Sequence, residues 1–170
     1  KHPPLTHGAA GWQMNEAALK QLDDWGMQYA SDGRSAPNLA PYRIQFNSVR
    51  SKHVQYPTTL PTFDELIGVD GRDALGAAKA ILELTQSNPN DQVFTLHAEL
   101  EGQKLLPAFK ALLQGWMAQG HDLVTMGQLH KSWLATGQLD KIATEPFQYG
   151  SIANRSGELM IQMRHATNFT

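Results

Sequence analysis

The chain has 170 residues, 41% of them hydrophobic, so we expect one domain with a buried core rather than a mainly disordered chain. Its 14 basic and 16 acidic residues give a formal charge of -2, which offers no basic field, so nucleic acid is not expected as a partner. The absence of cysteine excludes disulfides, thiol nucleophiles and thiolate metal sites, and no apolar run reaches the roughly 18 to 20 residues that span a bilayer.

The first part of the chain predicts two short strands around a helix. Residues 5–10 are small and apolar enough for a buried strand, and residues 27–31 predict the next one. Between them, Asn15 is a suitable N-cap for a helix over residues 16–25, and Gly26 can end that helix in the left-handed conformation.

A long loop follows. Residues 35–62 are rich in Pro, Ser, Asn and Thr, and residues 54–56 are the only predicted strand within them. Loops of this length in a compact domain are usually functional or mobile. Thr62 with Glu65 forms a capping-box pattern, which favours Asp64 and Glu65 as helix-start residues over catalytic acids.

The second half alternates strands and helices. The predicted elements are a helix from Asp70 or Asp73 to residue 85 with Leu75, Ala78, Ile81 and Leu82 on one face, a strand from residue 93, a helix over 105–119, a strand over 123–125, a helix over 126–134, and a C-terminal tail over 145–170 with two short strands. This order indicates an α/β fold with parallel strands and flanking helices. About four strands suit an open sheet or part of a barrel, because the eight-stranded barrel typically needs about 250 residues.

The strand that begins at Val93 leads to the strongest candidate for chemistry. Alternation places Val93, Thr95 and His97 on one face, and Phe94 and Leu96 on the other. Reactive residues in parallel α/β folds lie at the carboxyl ends of strands, and imidazole titrates near neutrality, so His97 is a candidate acid or base. The alternative is a core histidine bonded to a backbone carbonyl.

Two glutamates follow His97 at alternate positions. Glu99 and Glu101 could bind a substrate hydroxyl or orient the imidazole of His97. The alternative is that they are solvated loop carboxylates, and the pattern favours this alternative for Glu101.

Three further residues at predicted strand ends are candidates for substrate binding. Trp12, which follows Gly11, could stack on a sugar ring or simply pack against the strands. Asp32 and Arg34 could form an ion pair or bind a phosphate or carboxylate, since Arg suits bidentate contacts. An ordinary surface turn explains Asp32 and Gly33 equally well.

Other catalytic patterns have little support. The remaining histidines lack metal-ligand spacing, although His7 lies at a predicted strand end. The GxSxG, P-loop and GxGxxG patterns are missing, which gives no support to serine hydrolase, nucleotide hydrolase or dinucleotide-binding functions. A glycosidase would need two facing carboxylates, which Glu99 and Glu101 on one loop do not match well.

Five segments carry a family resemblance: AAGW at residues 9–12, YASDGR at 29–34, TLPTFDELIG at 59–68, TLHAELEG at 95–102 and GSIANRSGE at 150–158. Together they resemble the polysaccharide deacetylase (NodB-homology) family. The likeness is closest to the bacterial branch that deformylates 4-deoxy-4-formamido-L-arabinose phospho-undecaprenol in lipid A modification. The segments follow the family's order and extend over nearly the whole chain.

The resemblance implies a distorted (β/α) barrel that hydrolyses an N-acyl group from an amino sugar with a bound divalent, zinc-like metal. His97 matches the family's general acid, although Thr95 replaces the usual leucine and residues 9–12 replace an arginine-containing motif. The early motifs, which supply the base and the metal ligands, have no counterpart here. We therefore expect no metal ligands in this chain, no hydrolysis by this chain alone, and one incomplete domain over residues 1–170, the C-terminal part of such a barrel.

The resemblance also implies partners and a location. The expected substrate is an amino sugar or an undecaprenyl-phosphate-linked sugar, handled in the cytoplasm at the inner face of the bacterial inner membrane through peripheral contact. Exposed barrel edges would favour dimerisation or association with the missing N-terminal part. The alternative is a non-catalytic carbohydrate or lipid-phosphate binding module, or a half-barrel that assembles with a partner.

Overall fold

A computed structural model describes residues 3–37, 40–46 and 48–162. The strands in these residues are β1 (Thr6–His7), β2 (Tyr29–Ala30), β3 (Arg43–Phe46), β4 (Val49–Arg50), β5 (Val54–Gln55), β6 (Thr144–Gly150) and β7 (Leu159–Gln162). The α-helices are α1 (Glu16–Asp24), α2 (Phe63–Leu66), α3 (Ala74–Thr85), α4 (Ala98–Glu101), α5 (Leu106–Ala118) and α6 (Met126–Ala135). Within the described residues, none of the helices combines the length and the apolar character needed to cross a bilayer.

The strands form two sheets. One is parallel, in the order β1, β2, β5. The other has the order β4, β3, β6, β7, with a parallel pair at its centre and an antiparallel pair on each side. Backbone bridges from Tyr42 to Gln55, and from Arg34 to both Thr58 and Ile161, connect the two sheets. The predicted α/β class with parallel strands and flanking helices is confirmed, whereas the described strands do not close into a barrel.

Helix starts agree with the sequence. The Asn15 side chain accepts the backbone N–H of Ala18 at 2.9 Å, and Gly26 ends α1 with a φ of 73°. Asp73 accepts the N–H of Gly76 at 2.7 Å, which identifies it, rather than Asp70, as the cap of α3.

The main apolar core lies between α3 and α5. Ile81 and Leu112 are fully buried there, and Trp116 and Phe94 pack beside them. Leu75, which the periodicity assigned to this face, is 57% exposed. The buried face of α3 runs through residues 77, 78, 81 and 85, and Leu75 lies at its edge.

Two predicted strands are wrong. Residues 93–97 form no ladder, because Val93 alone among them bonds to the neighbouring segment of the backbone. Its carbonyl accepts the N–H groups of Thr59 and Leu60, at 3.0 and 3.2 Å. Residues 123–125 also form no strand, since Thr125 is the N-cap of α6 and accepts the N–H of Gln128. Short extended segments with a competing side-chain partner need not enter a sheet.

The predicted long loop over residues 35–62 contains β3 and β4 as well as β5, so the expectation of one strand there was wrong. Ile44 in β3 is fully buried, and this strand pairs with the distant β6. A polar, proline-rich composition concealed this long-range pairing. In the tail, the two predicted strands are β6 and β7, joined by a turn that contains Gly157, while residues 163–170 lie outside the described residues.

Replacing Ile81 by alanine is expected to lower the free energy of unfolding by about 2 to 5 kcal/mol, since it opens a cavity between α3 and α5. Leu84 is a matched control, because it lies on the same helix and is 46% exposed. Its replacement by alanine should change stability much less. Urea denaturation measures both, and equal losses would contradict the core assigned here.

His130 is expected to make stability depend on pH. It is buried against Tyr29, and its Nδ1 lies 3.1 Å from the Tyr56 hydroxyl. Burial, with a smaller contribution from the charge of Arg43, lowers the pKa of His130 below its ordinary value of 6.5. The unfolded chain therefore binds more protons in the pH window below 6.5, and stability falls as the pH drops through that window. Urea midpoints at about pH 5 and pH 7.5 should differ less in His130→Gln than in the wild type; an unchanged difference would contradict this.

Candidate active site at the carboxyl edge of the parallel sheet

The candidate site follows from the direction of three strands. Because β1, β2 and β5 are parallel, their carboxyl ends meet at one edge. His7 ends β1, and Asp32 and Arg34 follow β2. Thr58 follows β5 and links this edge to the next segment, since its Oγ1 lies 2.7 Å from Oγ1 of Thr95. We call this row of strand ends, from β1 to residues 93–97, the carboxyl edge.

Arg34 forms a buried ion pair at the carboxyl edge. Its Nη1 and Nη2 donate to the two carboxylate oxygens of Glu65 at 2.6 and 3.1 Å, and both side chains are about 95% buried. Of the interpretations open from sequence, the ion pair is the one observed, and its partner is Glu65 rather than Asp32. Glu65 also accepts the N–H of Thr62 at 3.1 Å, so it starts α2 as predicted.

Trp12 is packed rather than open to a sugar. Its ring is 4% exposed, and its Nε1–H donates to Oγ1 of Thr58 at 3.1 Å. The guanidinium carbons of Arg34 and Arg155 lie 4.6 and 4.3 Å from the ring centroid. Trp12 and Gly11 both have positive φ, at 54° and 60°. A left-handed tryptophan is strained, and such strain concentrates at functional sites.

His97 lies at the end of the carboxyl edge that is opposite β1. Its Nδ1 is buried and has no hydrogen-bond partner among the described residues, while Oδ1 of Asp64 is 3.8 Å away. The ring is 30% exposed, so a ligand can reach it. In the part of the chain that the structure describes, the backbone-carbonyl partner of the alternative interpretation is not found for this nitrogen. An acid or base role for His97 stays a prediction.

The two glutamates after His97 differ in environment. Glu99 is exposed, whereas Glu101 is 1% exposed and its Oε2 accepts the backbone N–H of His97 at 2.7 Å. The expectation that Glu101 is a solvated loop carboxylate was wrong, because the chain turns into α4 at Ala98 and folds Glu101 back under His97. Glu101 thus fixes the backbone of His97, while a substrate contact by Glu99 stays a prediction.

Two residues of the site were missed as functional candidates. Asp64, which the sequence suggested only as a helix start, faces His97 through one oxygen, and its other oxygen lies 3.3 Å from Nη1 of Arg155. The same Nη1 lies 3.3 Å from the Glu65 carboxylate. Arg155 belongs to a segment that resembles the deacetylase family, and that segment was the signal that could have found it.

Asp32 is not exposed to a ligand. It is completely buried, and its Oδ1 lies 2.6 Å from Nδ1 of His7. Its Oδ2 accepts a hydrogen bond from Nε2 of Gln55 at 2.8 Å. Any contact between Asp32 and a substrate therefore runs through His7, which is 35% exposed.

The residues present do not fit a metal site by themselves. In the described ranges, no group of three or more His, Asp or Glu side chains lies close enough together to hold a metal ion. No step of the chemistry below is therefore assigned to a metal.

A separate groove lies behind residues 93–97. It has a volume of about 660 Å³ between α5, α6 and the segment before His97, and its lining includes Phe94, Leu96, Trp116 and Trp133. Apart from Phe94 and Leu96, the residues of the carboxyl edge do not line it. The groove and the side chains of the candidate site are thus on different surfaces.

The chain is similar to deformylases of lipid-linked sugars, although no protein-family model matches it. It is 26% identical over 166 residues to the probable 4-deoxy-4-formamido-L-arabinose-phosphoundecaprenol deformylase ArnD of Wigglesworthia glossinidia brevipalpis. The aligned residues cover 96% of this chain and 54% of that protein. It is 35% identical over 105 residues to the protein of the same description from Shewanella sediminis (strain HAW-EB3). That alignment covers 61% of this chain and 32% of that protein. The chain spans about half the length of the first relative and about a third of the second. These similarities support the deformylase branch that the sequence resembles.

Proposed function

We propose that this chain acts in the hydrolysis of an N-formyl group from a lipid-linked amino sugar. The observation that supports this most is the combination of similarity to two proteins described as such deformylases with an accessible histidine, His97, at the carboxyl edge of the sheet. Membership of the wider polysaccharide deacetylase family is part of the same proposal.

The reaction needs a proton donor on the departing amine. A water oxygen bonds to the formyl carbon, the carbon–nitrogen bond breaks, and the nitrogen receives a proton. Of the two protons of the water, one restores the proton of the donor and the other leaves with formic acid, which ionises to formate. His97 is the proposed donor, since its ring is 30% exposed and its backbone is fixed by Glu101. Asp64, with Oδ1 3.8 Å from Nδ1 of His97, is placed to stabilise the positive charge of the ring before it gives up the proton.

Arg155 is the proposed contact for the substrate's phosphate. Its side chain is 19% exposed, and only its Nη1 has carboxylate partners among the described residues. The guanidinium carbon of Arg155 lies 4.3 Å from the centroid of the Trp12 ring, so the two groups stack. A guanidinium with donors left over suits phosphate, because it can present two parallel N–H groups. A lipid-linked substrate would bring the chain to a membrane surface, which we propose as its place of action.

The test is release of formate by the purified complete protein, because the resemblance implies a base and metal ligands that this chain by itself is not expected to supply. A 4-formamido-arabinose phosphate on a short polyprenyl chain should yield formate, and the matching acetamido compound should yield less acetate. Release from neither compound would contradict the proposal. Binding of both without release would instead support a non-catalytic binding module.

A further inference from the structure

The second histidine of the carboxyl edge, His7, is held by a carboxylate with a fixed direction. Asp32 is completely buried, and its oxygen lies 2.6 Å from Nδ1 of His7. Gln55 makes two hydrogen bonds to Asp32: its Nε2 donates to Oδ2 at 2.8 Å, and its Oε1 accepts the backbone N–H of Asp32 at 3.1 Å. The carboxylate therefore cannot turn away from His7 without breaking this pair of bonds.

The amide of Gln55 is itself fixed by a third histidine. Its Nε2 lies 3.2 Å from Nε2 of His53, and Nδ1 of His53 lies 2.7 Å from Oδ1 of Asp23. An amide nitrogen only donates, so Nε2 of His53 accepts and its Nδ1–H donates to Asp23. Turning the Gln55 amide over would place its nitrogen against the N–H of Asp32. The observed orientation of the Gln55 amide is the one in which Gln55, Asp32, His53 and Asp23 all have matching hydrogen-bond donors and acceptors.

This network sets the tautomer of His7. A carboxylate accepts hydrogen bonds, so the proton of the neutral ring stays on Nδ1 and the lone pair is on Nε2. Within the described part of the chain, Nε2 has no hydrogen-bond partner, and the ring is 35% exposed. His7 thus presents a hydrogen-bond acceptor of fixed direction at the end of β1.

His7 and His97 lie at opposite ends of the carboxyl edge. The order along it is β1, β2, β5 and residues 93–97. Neighbouring strands lie about 4.8 Å apart, so β1 and β5 alone are roughly 10 Å apart, and residues 93–97 contact the segment that follows β5. The two imidazoles therefore meet different groups of a bound molecule, and His7 does not duplicate the role of His97.

We propose that His7 is a substrate-binding residue whose Nε2 accepts a hydrogen bond from a sugar hydroxyl, with Asp32 as its positioning residue. The choice of a sugar rests on the proposed function, whereas the fixed tautomer rests on the geometry alone. A hydroxyl is the group that fits, since it can donate to a lone pair, and phosphate oxygens cannot.

The first test is the imidazole tautomer, measured by nitrogen-15 NMR on the uniformly labelled chain above neutral pH. His7 should carry its proton on Nδ1, and Asp32→Asn should reduce the population of that tautomer. His121 is an internal control, because its Nε2 lies 3.2 Å from the carbonyl of Thr85 and its proton should be on Nε2. A wild-type His7 with its proton on Nε2 would overturn the inference.

The second test is binding of 4-formamido-arabinose phosphate and its 2-deoxy and 3-deoxy analogues by calorimetry. One analogue should bind about tenfold more weakly to the wild type, and His7→Ala should remove that difference. His7→Asn, which keeps an acceptor, should restore part of it. A difference that survives His7→Ala contradicts the role of His7 and leaves the proposed function intact. Binding of none of the three contradicts the proposed function and this role with it.

Discussion

Replacing Arg34 by methionine is expected to lower the free energy of unfolding by about 3 kcal/mol, the lower end of what removal of one partner from a buried ion pair costs. The loss arises because the Glu65 carboxylate stays buried without its two short hydrogen bonds. The estimate is at the lower end since Arg155 remains 3.3 Å from the same carboxylate. Urea denaturation followed by tryptophan fluorescence measures the change.

Two companion variants sharpen this result. Arg34→Lys should fall between the wild type and Arg34→Met, because a single ammonium cannot make two parallel bonds. Lys79→Met is the matched control: Lys79 and Glu83 form an ion pair whose side chains are 79% and 63% exposed. Such exposed pairs contribute about 1 kcal/mol or less. A loss in Lys79→Met as large as in Arg34→Met would contradict the buried pair.

Replacing His97 by glutamine is expected to reduce the rate of formate release by about 10² to 10⁴-fold, the usual contribution of a positioned acid or base. The loss should appear in kcat more than in KM, because proton donation is required in the transition state rather than for binding. A formate assay of the complete protein at saturating substrate measures it.

The control for His97 is another partly buried histidine. His121 bonds the carbonyl of Thr85 and lies apart from the carboxyl edge, so His121→Gln should keep the wild-type rate. A His97→Gln variant with undiminished kcat would remove His97 from the reaction. Equal losses in both variants would instead indicate a general effect on folding.

The features of the fold that depend on residues close together in sequence were predicted. The cap at Asn15 and the left-handed glycine after α1 were predicted, and the cap of α3 was narrowed to Asp70 or Asp73, because a cap and its partner are three residues apart. The strand bounds were harder, since the strands predicted over residues 5–10 and 27–31 have only two residues each in the structure, and pairing between strands sets their length. Nothing within residues 35–62 indicates that β3 pairs with β6, about a hundred positions later.

The candidate site shows the same difference between features set by local sequence and features set by long-range contacts. His97 was found because its position at the end of an extended, β-prone segment is a local property. Its surroundings were not, since Asp64 and Arg155 reach it from distant parts of the chain. Glu101 was misjudged because a turn into α4, rather than continued alternation, decides where its side chain points. Residue types at a strand end are predictable, but which charges pair there depends on tertiary structure.

The central claim is that the carboxyl edge of the parallel sheet binds the sugar substrate. The most direct test is NMR mapping of 4-formamido-arabinose phosphate on the isotope-labelled chain. We expect the largest shifts at the imidazoles of His7 and His97, the guanidinium of Arg155 and the indole of Trp12, with little change at Trp133 in the groove behind residues 93–97. Shifts confined to Trp133 and its neighbours, with the carboxyl edge unchanged, would contradict the claim.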